Sequence, residues 1–114
     1  MAVYGSETEV RALRPDFREL ATVDRHSIIV TAPGDGVDYV SRYFAPSVGV
    51  DEDPATGSSQ CDLVPFWARE LGRSHLSARQ VSRRGAAFEC RLDGARVRIA
   101  GAVAPYLEGE IDGP

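Results

Sequence analysis

Apolar residues recur with a period of two along some stretches of the chain and with a helical period along others, and the changes of period mark its elements. Met1–Gly5 reads as a short strand. Ser6 opens a helix, with Glu9 three residues on completing a capping-box pattern, and Val10 and Leu13 form its apolar edge. Pro15 interrupts, and Asp16 to Leu20 continues helically with Phe17 and Leu20 on one side. His26 to Ala32 is apolar and β-branched, a buried strand. Pro33-Gly34-Asp35-Gly36 is a turn. Val37 to Phe44 then alternates, with Val40, Arg42 and Phe44 on one face and Tyr39, Ser41 and Tyr43 on the other. A charge on that apolar face reads as an arginine snorkelling at the edge rather than as a ligand contact.

The helical period returns between about Gly57 and Leu71, where Val64, Trp67, Ala68 and Leu71 share a face and Cys61 lies one turn earlier. Gly72 is a natural stop, and Arg69 and Arg73 suit the negative end of the helix. Pro65 removes the donor toward Cys61, which asks for a kink or a later start. Leu76 to Val81 reads as a strand. Asp93-Gly94 is the strongest hairpin signal, pairing Leu92 with Ala95, Cys90 with Val97 and Phe88 with Ile99. The opposite face then pairs Glu89 with Arg98 and, less favourably, Arg91 with Arg96. Ala102 to Ile111 reads as a last strand, pushed to an edge or bulge by Pro105. The pattern predicts an α+β fold over residues 1–114 as one domain. Its curved, mostly antiparallel sheet, a half-barrel, wraps around one long central helix that buries Trp67.

Composition narrows the function. A chain of 114 residues buries roughly two-thirds of its unfolded surface. Its net charge of −4 argues against nucleic acid as a partner. The longest apolar run, Ser27 to Ala32, is too short to cross a bilayer, and the first residues lack a signal-peptide pattern. The two cysteines, Cys61 and Cys90, have neither metal nor redox spacing, so a reduced cytoplasm is the simplest setting. His26 and His75 form no ligand pattern, and Arg83-Arg84 is too small a cluster for nucleic acid. No metal site is expected.

The candidate chemistry gathers at Phe44 to Ser58. The chain turns through Ala45-Pro46 and Gly49, collects Asp51, Glu52 and Asp53, and enters the helix through Pro54 and Thr56-Gly57-Ser58. Free N–H groups at such a helix start attract an anion. Two readings of Asp53 stand. It is either a turn acid capping the coming helix or a cleft carboxylate that handles protons. Thr56, Gly57 and Ser58 are either N-capping residues or the holders of a substrate carboxylate. The acidic trio lacks the repeated oxygen ligands of a calcium loop. Cys61, about one turn past Ser58, reads as an inert buried thiol ahead of a nucleophilic or racemase-like role.

The segments SRYFAP, VDEDPATGSS, FWARELGR, ARQVSRRG and RLDGARVRIAG, in this order, resemble the C-terminal half of the PhzF family. These are phenazine-biosynthesis-like isomerases, related in fold to diaminopimelate epimerase. The resemblance runs from about Ser6 to Glu110 and is most specific at Glu52 to Ser58. It implies two similar domains in a full-length member, each a curved sheet around a central helix, with a cleft between the helix N-termini. It also implies a cofactor-free isomerisation in which a glutamate of the N-terminal domain moves a proton. Asp53 matches the family's cleft aspartate, and Gly57 and Ser58 match its helix-start substrate contacts. Epimerase relatives carry a cysteine acid/base near the position of Asp53. Two departures stand out: Ser59-Gln60 replaces the usual alanine-histidine, and Gly85-Ala86 replaces a double glycine.

The expectation is therefore a PhzF-like domain of an isomerase acting by proton transfer on a small carboxylate-bearing metabolite. Asp53 would shuttle the proton while Thr56, Gly57 and Ser58 bind the substrate. An exposed inter-domain face disfavours a lone half. A homodimer across a two-fold axis, or a separate N-terminal domain, would complete the cleft. The other expectation is a non-catalytic domain that binds small anions. The absence of lysine reads as coding bias of a GC-rich bacterium.

Overall fold

The computed structural model describes residues 1–113. The elements run β1 (Ala2–Val3), α1 (Glu7–Ala12), α2 (Phe17–Leu20), β2 (Ile28–Pro33), β3 (Tyr39–Ala45), a 3-10 turn (Pro46–Val48) and β4 (Val50–Asp53). Then come α3 (Gln60–Leu71), β5 (His75–Gln80), β6 (Ala86–Asp93) and β7 (Arg96–Ala100). Seven strands form one sheet in the order β1-β2-β3-β5-β6-β7, with β4 also paired to β3. β1 runs parallel to β2 and β3 parallel to β5, while the other pairs are antiparallel. The expected mostly antiparallel α+β fold is present.

Helices cover both faces of this sheet. In β2 and β3, alternate side chains enter two cores because both strands are central and buried on each side. Ile29 and Tyr39 join Leu63, Val64 and Trp67 of α3 on one face. Val30, Ala32, Val40 and Phe44 join Val10 of α1 on the other, with Phe17 and Leu20 of α2 against them. The described residues thus place three helices about a sheet, the longest having 12 residues, where the pattern suggested one long helix inside a wrap of strands. No described helix is long and apolar enough to cross a membrane.

Local chemistry explains most boundaries. The Ser6 hydroxyl accepts the Glu9 N–H at 3.3 Å, as the capping box requires. Asp16 caps α2 through Arg18 N–H and Glu19 N–H at 2.9 and 3.1 Å. Gly72 closes α3 at φ +65°, the left-handed region open to glycine. Arg42 does not snorkel. Its guanidinium donates twice to Glu52, at 2.8 and 2.9 Å, and to the Val10 and Leu13 carbonyls at 3.1 and 3.0 Å. It thereby satisfies the end of α1 and ties it to β4.

Four expectations change. The acidic stretch Val50–Asp53 is a strand, because pairing with β3 and the Arg42–Glu52 ion pair outweigh the poor strand propensity of acids. The hairpin turns about Gly94-Ala95, so Leu92 meets Val97, Cys90 meets Ile99 and Arg91 faces Arg98. Asp93 lies 3.5 Å from Arg91 and 2.8 Å from Arg98 and offsets their repulsion. Residues 102 to 111 form no strand and expose Val103, Tyr106, Leu107 and Ile111. Finally, α3 begins at Gln60, later than Gly57, and turns Gln60, Leu63, Val64, Trp67 and Ala68 inward. Leu71 is exposed, and Cys61 is an exposed thiol rather than a buried one.

Glu7 ties the start of α1 to the β2–β3 turn. Its carboxylate accepts the Asp35 N–H at 2.8 Å, which holds its pKa below the ordinary 4.5, with partial burial opposing and Arg11 assisting. A carboxyl depressed in the fold stabilises the protein above pH 4.5 and loses that contribution as pH falls through the depressed value. Glu7→Gln should therefore lower the urea midpoint at pH 7, and the difference from the parent should close in acid. An equal difference at both pH values would disprove this linkage.

Candidate functional site

The site forms where two strands meet along one edge of β3. Tyr39 to Ser41 pair with β5, which runs parallel and ends at Gln80 opposite Ser41. Tyr43 to Ala45 pair with β4, which runs antiparallel and ends at Asp53 opposite Tyr43. The ends of β4 and β5 therefore converge, and the turn into α3 leaves from that point.

Gln80, fully buried, holds the turn. Its Oε1 accepts the Thr56 N–H at 2.8 Å, and its Nε2 donates to the Asp53 carbonyl at 2.6 Å and the Thr56 hydroxyl oxygen at 3.2 Å. The Thr56 hydroxyl donates to Asp53 Oδ2 at 2.6 Å, and the Ala55 N–H approaches Oδ1 at 3.4 Å. The Ser59 hydroxyl donates to the Thr56 carbonyl at 2.8 Å. Beneath these, Tyr39 donates to Gln60 Oε1 at 2.6 Å and stacks on Trp67 at 5.7 Å between ring centroids. Burial pushes the Tyr39 hydroxyl pKa far up, so it stays a neutral donor. Ser82 donates to the Pro54 carbonyl at 2.8 Å and clamps the other side.

The four residues singled out in the sequence lie on this one turn. Asp53 is partly buried, with Thr56 as its nearest donor. Gly57 and Ser58 are exposed. Thr56 points inward, its N–H and hydroxyl both engaged by Gln80 and Asp53. The first bonds of α3 end on the Gly57, Ser58 and Ser59 carbonyls, so the N–H groups of these three residues have no acceptor among the described residues. They supply the positive pole that attracts an anion. The nearest large cavity, about 560 Å³, is lined by Phe17, Asp51, Glu52, Pro54, Ser82, Arg83 and Arg84. Asp53, Gly57 and Ser58 are not among its lining residues, and Gly57 and Ser58 lie on the surface. No group of three or more histidines, cysteines or acids among the described residues could hold a metal ion.

Sequence reasoning missed Gln80 and Ser82. A signal for Gln80 existed: in β5 it shares the buried parity of Leu76 and Ala78, so a polar side chain on the core side demands partners.

An α+β chain with this turn fits the family that the sequence matches. Residues 1–109 match the phenazine biosynthesis-like protein family, PhzC-PhzF, and the chain belongs to it. An uncharacterized isomerase of Pseudomonas aeruginosa is 52% identical over 111 residues, covering 97% of this chain and 42% of that protein. An uncharacterized isomerase of Halalkalibacterium halodurans is 38% identical, covering 93% and 41%. The crystal structure of a PhzF-family protein from Enterococcus faecalis superposes with a TM-score of 0.85 at 43% identity, covering 87% of this chain and 38% of that one. A putative PhzC/PhzF protein from Clostridium difficile gives 0.85 at 39% identity, covering 96% and 43%. The chain spans about two-fifths of the length of these relatives.

Two outcomes follow from the geometry. Gln80→Leu strands the Thr56 N–H and the Asp53 carbonyl, which should cost about 2 kcal/mol or more of unfolding free energy; a change under about 0.5 kcal/mol would show that the amide does not hold the turn. A thiol reagent should modify Cys61 alone in the native protein, since Cys90 is buried and its pKa raised by that burial. Mass spectrometry showing equal labelling of both thiols would contradict this.

Proposed function

We propose that the chain is one PhzF-like half of a cofactor-independent isomerase that moves a proton on a small carboxylate-bearing metabolite. The carrying observation is a carboxylate, Asp53, oriented by Thr56 beside three free N–H groups at the start of α3. The N–H groups of Gly57 and Ser58 hold the substrate carboxylate and pull charge from the neighbouring carbon. Asp53 takes the proton from that carbon and returns it to another as a carbon–carbon double bond shifts the opposite way, so the step needs no external oxidant or reductant. Thr56 contributes by orienting Asp53. Family membership and the isomerase names of the relatives support this reading.

The open face of the turn calls for a second wall. A homodimer or an N-terminal domain supplies it and brings a second helix start across the cleft. In that assembly the sheet closes around α3 as a diaminopimelate epimerase-like half-barrel. The setting is a bacterial cytoplasm and the role biosynthetic, consistent with two free thiols. The exposure of the turn also supports a second reading, a non-catalytic domain that binds small anions.

Light scattering on a sizing column should return twice the 12.3 kDa chain mass; a monomer at high concentration would remove the self-completed cleft. Deuterium uptake from heavy water into candidate carboxylates should fall at least roughly 100-fold in Asp53→Asn, the typical scale of general acid–base catalysis. Carboxylate binding with no uptake in the parent would favour the non-catalytic reading.

A further inference from the structure

We infer that Thr56 is a positioning residue for Asp53 rather than a substrate contact, and that it leaves Oδ1 as the proton-transferring oxygen. This rests on the isomerase reading above and deepens it.

The amide orientation of Gln80 is fixed by chemistry. A backbone N–H can only donate and a backbone carbonyl can only accept. The atom 2.8 Å from the Thr56 N–H is therefore the amide oxygen, and the atom 2.6 Å from the Asp53 carbonyl is the amide nitrogen. The second hydrogen of that nitrogen points to the Thr56 hydroxyl oxygen, 3.2 Å away. An oxygen that accepts there turns its own proton elsewhere. The remaining acceptor in reach is Asp53 Oδ2 at 2.6 Å. The direction of the Thr56 hydroxyl proton is thus set by a side chain 24 residues along the chain.

Three consequences follow for Asp53. Its Oδ2 accepts a short bond from a buried donor that has no other place to send its proton. Its Oδ1 has only the long 3.4 Å approach of the Ala55 N–H, so Oδ1 is the less engaged of the two oxygens. The rotamer of the carboxylate is held from inside the protein, before any substrate arrives, which is the preorganisation that proton transfer rewards. Thr56 itself is only 6% exposed, with both polar groups engaged, and has nothing left to offer a substrate.

Three-bond couplings of a carbon- and nitrogen-labelled chain report the Asp53 χ1 rotamer and need neither substrate nor turnover. The parent should show one rotamer. Thr56→Val keeps the shape and the Gln80 bond to the backbone but deletes the hydroxyl, and its couplings should average over two or three rotamers. Thr56→Ser should restore the single rotamer. Thr56→Ala removes the hydroxyl with less bulk and gives the same readout if the valine variant does not fold. A merely structural role would lower the melting temperature of the valine or alanine variant while leaving Asp53 in one rotamer, and that result would overturn the inference. So would averaging already present in the parent. An Asp53→Asn variant that keeps full turnover would instead remove the proton-transfer role of Asp53, and absence of turnover in the parent would sink the isomerase reading, each leaving the rotamer result standing.

Discussion

One buried amide constrains this molecule more than any other single group. Gln80 is sealed from water, so each of its polar atoms must find a partner inside. It finds them on the backbone of the turn between β4 and α3, which would otherwise have neither a ladder nor a helix to satisfy it. The meeting of β4 and β5 on the edge of β3, the departure of α3 and the aim of Asp53 all pass through that contact. A hydrophobic side chain of the same size could fill the space. It could not hold the turn, because the turn presents a donor and an acceptor in a fixed arrangement.

The central strands impose the same discipline on the rest of the core. With helices on both faces of β2 and β3, Thr31 and Ser41 have no route to solvent. Thr31 accepts from the Trp67 indole at 2.9 Å and donates to the Val40 carbonyl at 2.6 Å, so the largest aromatic side chain of α3 is keyed to one register of the sheet. Among the described residues, no buried side-chain nitrogen or oxygen lacks a partner. Such complete pairing favours a unique arrangement over a merely compact one.

What the sequence reveals follows how local each signal is. The capping box at Ser6, the alternation in β3 and the glycine stop after α3 are short-range patterns and emerge where expected. β4 is hidden because Val50-Asp51-Glu52-Asp53 has the composition of a loop and becomes a strand only through β3 and Arg42. The hairpin register is hidden because shifting it by one pair keeps the same apolar face, and the difference lies in where Asp93 meets Arg98. In the site, the turn from Asp53 to Ser58 is legible from its small residues and acids. The inward aim of Thr56 is not, since it depends on a residue beyond the far end of α3.

That distance raises the entropic cost of completing the turn. β4 follows β3 directly, so their contact closes a short loop at small entropic cost. β5 reaches the same edge only after the whole of α3 has been laid down, a longer closure and a slower one. Until it docks, the Thr56 N–H and the Asp53 carbonyl remain in water and the carboxylate is free to rotate. β5 is thus the strand that turns a floppy acidic loop into an oriented group.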